Sequence, residues 1–173
     1  MPTSFKYSIW LMPTGEIASE LSKTISQLSK QYSAPLFPPH MTLMGDIYDS
    51  EKEMIERTQQ LASRIHPFQV TLTTVDYLDV YFRCLFLRAE ETPALLQANQ
   101  VARTIFHREQ EPRFMPHLSL LYGNFDVETK KQMIETIGRE FRRTFPVTVL
   151  HLFSTTGETK EWYRVQEFEI PGR

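Results

Sequence analysis

The stretch FPPHMTLM at residues 37–44 returns at residues 114–121 as FMPHLSLL, and this repetition constrains the fold more than any other feature of the 173-residue chain. From position 40 to position 117 the offset is 77, and the same offset carries Phe37 to Phe114, Pro39 to Pro116 and Thr42 to Ser119. It also carries Phe68, Val70 and Thr71 of FQVTL to Phe145, Val147 and Thr148 of FPVTV. A constant offset across two separated segments, without a gap between them, indicates an internal duplication. The expected architecture is two strand–helix–strand–helix–strand lobes that face each other. No stretch rich in Gly, Pro or Ser divides them, so residues 1–173 are expected to form one bilobal domain.

Apolar periodicity supplies the elements. FKYSIWLM (5–12) reads as a buried strand, followed by a helix that Thr14 can cap, with Ile17, Leu21, Ile25, Leu28 and Tyr32 on one face. HMTLMGDI (40–47) is the next strand, and Ser50 with Glu53 has the spacing of a capping box for a helix reaching about Ile65. FQVTLTTVDYL alternates as a half-exposed strand does. The second half repeats the order. YFRCLFLRA (81–89) reads as a strand, and Thr92 and Pro93 open a helix through Leu95, Ala98, Ala102 and Ile105. HLSLLYG is a strand, Asp126 caps a helix carrying Met133, Ile137 and Phe141, and FPVTVLHLF (145–153) is the strand after it. The closing segment pairs two strands across TTGETKE.

Along a strand, residues i and i+2 share a face about 7 Å apart at the backbone, so His40 and Thr42 point one way while Met41 and Leu43 point the other. His117 and Ser119 repeat the arrangement. If a pseudo-twofold axis relates the lobes, both polar pairs converge on one cleft. Two imidazoles and two hydroxyls suit displacement at a phosphodiester. One imidazole takes a proton from the attacking oxygen, the other gives one to the leaving oxygen, and hydroxyls donate to the non-bridging oxygens. Taken singly, a His-x-Thr is most often a polar residue satisfied by a backbone carbonyl, but two copies with complete apolar packing of their own point to chemistry. A shared zinc site with Asp46 or His151 as third ligand is the competing reading, and it lacks closely spaced ligands. His66, His107 and His151 read as structural or solvent-facing.

Charge excludes one class of partner. The formal charge is −2 with a pI near 6.2, and the 19 Lys and Arg are scattered, so a long polyanion has no basic face to meet it. A small ligand with one or a few phosphates needs none. No apolar run approaches the ~20 residues that span a bilayer, and the start MPTSFKYS lacks the pattern of a secretory signal, so a soluble cytoplasmic protein is expected. Cys84, the one cysteine, lies in an apolar run and reads as a buried small side chain.

The paired tetrapeptides HMTL (40–43) and HLSL (117–120) resemble those of the two-histidine (2H) phosphoesterases. The resemblance is nearest to the plant and fungal cyclic phosphodiesterase branch, through YSIWLMP, YFRCLFL, TPALLQANQVARTIF, MPHLSLLYG and ETKEWYRV. It implies an α+β fold with two antiparallel sheets and flanking helices around a central cleft. The implied activity is metal-independent, cofactor-free hydrolysis of nucleoside 2′,3′-cyclic phosphates to 2′-phosphates. ADP-ribose 1″,2″-cyclic phosphate, a by-product of tRNA splicing, is the other implied substrate. By the same resemblance His40 and His117 are acid and base, with His117 activating water and His40 protonating the leaving oxygen. Thr42 and Ser119 hold the phosphate, Tyr122 adds a phosphate or ring contact, and Trp10 and Phe82 sandwich the base. The plant proteins carry several cysteines, and redox control of that kind is not expected with Cys84 alone. The expected partner is a small cyclic nucleotide, without long nucleic acid or membrane, and the chain is expected to act as a monomer. An RNA-end enzyme acting on 2′–5′ linkages and a non-catalytic nucleotide-binding module are the alternatives.

Overall fold

The structure is a computed structural model that describes residues 5–172, so the first half of MPTSFKYS lies outside the described residues. Among the described residues eight strands and four α-helices follow in the order β1 (Phe5–Leu11), α1 (Gly15–Tyr32), β2 (Met41–Asp49), α2 (Glu51–Arg64), β3 (Phe68–Asp76), β4 (Leu85–Ala89), α3 (Pro93–Ile105), β5 (His117–Leu121), α4 (Val127–Ile137), β6 (Glu140–Val147), β7 (Val149–Ser154) and β8 (Tyr163–Glu169). They form the expected α+β fold. Three predicted caps close the first turns of their helices, since the side chains of Ser50, Thr92 and Asp126 each accept the amide of the residue three positions on. Thr14 occupies the cap position of α1 without that bond.

All strand pairings are antiparallel, in the order β6-β3-β4-β5-β2-β1-β7-β8. The two four-stranded halves are joined through one register pair, Met41 with Leu118, so the two sheets expected from the resemblance form one curled sheet. The two motif strands β2 and β5 stand side by side at this seam. No other pair registers them among the described residues, and the cleft lies at this seam. Each half also lends a helix to the other: α1 packs on β5, and α3 packs on β2.

Several elements depart from the periodic reading. Residues 81–83 form a 3₁₀ turn and β4 starts only at Leu85. Gly138, with φ +93, ends α4, so Phe141 belongs to β6 rather than to the helix. Thr148 divides the 145–153 run between two strands that serve opposite halves of the sheet. The match between FQVT and FPVT also has a different meaning from a pair of symmetry mates. Phe68 faces Val147 and Val70 faces Phe145 in one antiparallel ladder, so the two segments are neighbours in the same half. Strand β3 therefore leaves the half that holds β1 and β2 and joins the other.

Lys130 sits on the buried face of α4, 1% exposed. Its ammonium donates to the Leu78 carbonyl at 3.1 Å, lies 3.7 Å from the Asp79 carboxylate and 5.4 Å from the Tyr77 ring centroid, which is how a cation is tolerated there. No helix among the described residues is long and apolar enough to cross a membrane.

Candidate active site

The seam between the halves holds a cleft of about 540 Å³ lined from both sides by the repeated motif, His40 and Thr42 from one copy, His117 and Ser119 from the other. The sequence reason for the histidine geometry is the proline that precedes each one. Pro39 and Pro116 push the residues before them, Pro38 and Met115, into extended backbone. Each histidine Nδ1 then meets the carbonyl two residues back, His40 to Pro38 at 2.8 Å and His117 to Met115 at 2.8 Å. A carbonyl only accepts, so Nδ1 carries the proton in both rings and Nε2 is the atom left for proton transfer. The two motif copies thus share a tautomer as well as a residue.

The surroundings of the two rings differ. Trp10 of β1 pairs with Thr42, and Phe86 of β4 holds the corresponding place opposite Ser119. Trp10 lies flat against His40, centroids 3.5 Å apart at 13°, and its ring also stacks on Phe153 of β7 at 3.9 Å. Phe86 meets His117 only edge-on, at 5.3 Å. Burial therefore lowers the His40 pKa to about 4, with the nearby His117 adding to the effect against the bond to Pro38. Burial also lowers the His117 pKa, assisted by Arg83 and Arg88 and opposed by the bond to Met115.

The sandwich changes the role open to Trp10. Strand β1 lies between β2 and β7, and the Trp10 ring is held between His40, just before β2, and Phe153 of β7, 1% exposed. Its faces are occupied by His40 and Phe153, so it supports His40 and has no face free to stack on a base. Phe82 is 46% exposed at the mouth, beside Trp162 with centroids 6.3 Å apart and planes tilted 32°. Tyr122 lines the cleft, stacked on Phe37 at 3.9 Å, and burial raises its pKa so that the hydroxyl stays protonated. The Ser119 hydroxyl donates to the Phe82 carbonyl at 2.8 Å. No hydrogen bond engages the Thr42 hydroxyl among the described residues.

Periodicity missed Arg83, Trp162 and the polar end of the cleft. Arg83 follows Phe82 in the 3₁₀ turn, lines the cleft and makes no ion pair among the described residues. The cleft is also lined by Lys6 and Ser8, which alternate with Trp10 along β1, and by Arg108 with Glu111. The buried Thr155 hydroxyl at this wall has no hydrogen-bond partner among the described residues. The signal for Lys6 and Ser8 was present as strand alternation; nothing local marks the others. His66, His107 and His151 do not line the cleft. Asp46 turns to Lys6 at 3.8 Å and His151 to Glu167 at 3.8 Å, so neither supplies a third ligand to the histidine pair. Among the described residues no three His, Cys, Asp or Glu side chains gather as a metal site. Cys84 is buried, donates to the Leu121 carbonyl at 2.9 Å, and has its thiol pKa pushed up to about 11 by desolvation.

The chain is 28% identical over 129 residues to the cyclic phosphodiesterase of Arabidopsis thaliana, covering 75% of this chain and 71% of that one. The fold superposes on a crystal structure from Thermus thermophilus with TM-score 0.73 at 16% identity, covering 97% of this chain and 99% of the other. It also superposes on E. coli LigT complexed with 3′-AMP, with TM-score 0.69 at 17% identity, over 96% and 98% of the two chains. A family model described as cyclic phosphodiesterase-like protein matches residues 5–170, and with two His-x-Thr/Ser copies facing one cleft the chain belongs to that family of phosphodiester-cleaving 2H phosphoesterases.

Proposed function

We propose that this protein hydrolyses nucleoside 2′,3′-cyclic phosphates to nucleoside 2′-phosphates, with the two histidines moving protons and no metal taking part. The observation that carries the reading is the pair of Nδ1–carbonyl bonds, which leaves two Nε2 atoms available in one cleft with a hydroxyl two residues after each histidine. The cyclic phosphate lies between the imidazoles. Thr42 donates to one non-bridging oxygen, Ser119 turns from the Phe82 carbonyl to donate to the other, and the Arg83 cation balances the charge that grows in the transition state. Tyr122 contributes a neutral hydroxyl donor.

The unequal burial of the rings bears on the roles. His40, with the lower pKa, stands neutral and suits the base that activates water; His117 keeps its proton to higher pH and suits the acid that protonates the leaving 3′-oxygen. This reverses the assignment implied by the resemblance. Phe82, with Trp162 beside it, takes the base face that Trp10 cannot. Phe82→Ala is expected to raise KM about tenfold with little change in kcat, because stacking is worth about 1–3 kcal/mol per base. Steady-state kinetics on adenosine 2′,3′-cyclic phosphate checks this. The polar end of the cleft, with Lys6 and Ser8, favours a longer substrate such as ADP-ribose 1″,2″-cyclic phosphate.

The experiment that tests the reading is incubation of adenosine 2′,3′-cyclic phosphate with the protein in EDTA, followed by chromatographic separation of the 2′- and 3′-phosphates. Turnover to the 2′-phosphate that survives chelation is expected. Tight binding without turnover would support a binding module instead, and faster turnover of oligonucleotide ends than of the mononucleotide would support an RNA-end enzyme.

A further inference from the structure

The two motif strands share one register pair, Met41 with Leu118, which by itself is a weak anchor for two histidines that act on one phosphate. A second connection exists, built from side chains of α3 and the loop after it. On β2, Leu43 is an extra residue between the pairs Thr42–Trp10 and Met44–Ile9, so the ladder to β1 is interrupted there. A buried carbonyl at such a bulge needs a partner. Asn99 of α3, buried among apolar neighbours, supplies it by donating Nδ2 to the Leu43 carbonyl at 2.9 Å. One turn on, Arg103 donates Nε to the Asn99 Oδ1 at 2.8 Å. The other two nitrogens of its guanidinium donate to the carbonyls of Glu111 at 3.0 Å and Pro112 at 2.6 Å.

A parallel tie runs from the other side. Arg108 donates to the Gly45 carbonyl at 3.4 Å and the Asp46 carbonyl at 3.3 Å while pairing with the Glu111 carboxylate. Asp46 has φ +51, a conformation that a side chain adopts at some cost, and the guanidinium holds the carbonyls on either side of that bend. Both ties join β2 just past His40 and Thr42 to residues 108–112, five positions before His117.

We infer that Asn99, Arg103 and Arg108 are positioning residues that set the span of the cleft, tying the strand of the first histidine to the approach of the second. The inference rests on the two-histidine reading for its catalytic consequence, though the mechanical tie stands apart from it. Asn99 and Arg103 act through backbone carbonyls, and no contact with substrate is required of any of the three. Misplacement of reacting groups by about 1 Å from a remote change can cost on the order of 10²-fold in rate. Lysine in place of Arg103 keeps the charge but cannot serve two carbonyls and Asn99 with one planar fork.

The test is Arg103→Lys, read by kinetics on adenosine 2′,3′-cyclic phosphate and by amide hydrogen exchange with mass spectrometry. The expected result is a folded protein whose kcat falls about 10–100-fold with KM changed less than about threefold. Exchange is expected to quicken together in residues 41–47 and 111–117. Faster exchange confined to 106–116, with 41–47 and kcat as in wild type, would overturn the inference and leave Arg103 as a brace for its own loop. Should Arg103→Lys fail to fold, Arg108→Lys on the more peripheral tie is read the same way. If wild type does not turn over the nucleotide, the functional reading fails while coupled exchange still decides the tie.

Discussion

His40→Ala and His117→Ala are each expected to lower kcat/KM on adenosine 2′,3′-cyclic phosphate by about 10²–10⁴-fold, the worth of one proton transfer by a positioned side chain. The losses should not add in the double variant, because the two rings act on one transition state. The two variants should differ when the leaving oxygen is replaced. With a 3′-thio cyclic analogue, whose thiolate departs without a proton, the variant lacking the acid recovers and the variant lacking the base does not. The burial of His40 predicts recovery for His117→Ala. Recovery of His40→Ala instead would restore the assignment that the resemblance implied. Neither substitution is expected to unfold the chain, since Leu118, Met41, Leu43 and Leu120 keep the strands packed.

Trp10→Leu is the second large effect. The indole fills a fully buried site between His40 and Phe153, and shrinking a buried aromatic to leucine should destabilise the fold by about 2–4 kcal/mol. Urea denaturation measures that part. The catalytic part has a separate signature. Without the flat apolar cover, water reaches the His40 ring, and its pKa rises from about 4 toward the ordinary value near 6.5. The acid limb of kcat/KM should move up with it. A loss of folded fraction alone would lower the amplitude and leave the limb where it was. Trp10→Phe, which keeps a ring over the imidazole, should shift the limb less.

These roles were legible in the sequence to different depths. The offset of 77 located His40, Thr42, His117 and Ser119 and brought them to one cleft, because strand alternation fixes the face of a side chain without knowledge of the partner strand. The same offset misread FQVT and FPVT, because a sequence repeat does not say whether two strands are mates across an axis or neighbours in a ladder. Trp10 was found as a cleft residue and its role was not, since stacking on His40 and Phe153 depends on which strands flank β1. Arg83 was hidden by an apolar run that reads as strand and is a turn. Asn99 and Lys130 lie on helix faces whose spacing signals only burial; their partners are backbone carbonyls freed by a bulge and a loop, and those are features of topology.

The pH dependence of kcat/KM for adenosine 2′,3′-cyclic phosphate tests the acid–base pair most directly, since it reports the free protein's own groups. A base must be neutral and an acid protonated, so the rate should peak between the two macroscopic pKa values of the pair. With His40 near 4 and His117 below its ordinary value, the expected profile is a bell centred between about 4 and 6.5. It should fall about tenfold per pH unit on either side, with one limb missing in each histidine-to-alanine variant. A rate that climbs steadily through pH 8, or a profile that keeps both limbs when His40 or His117 is replaced, would contradict the account.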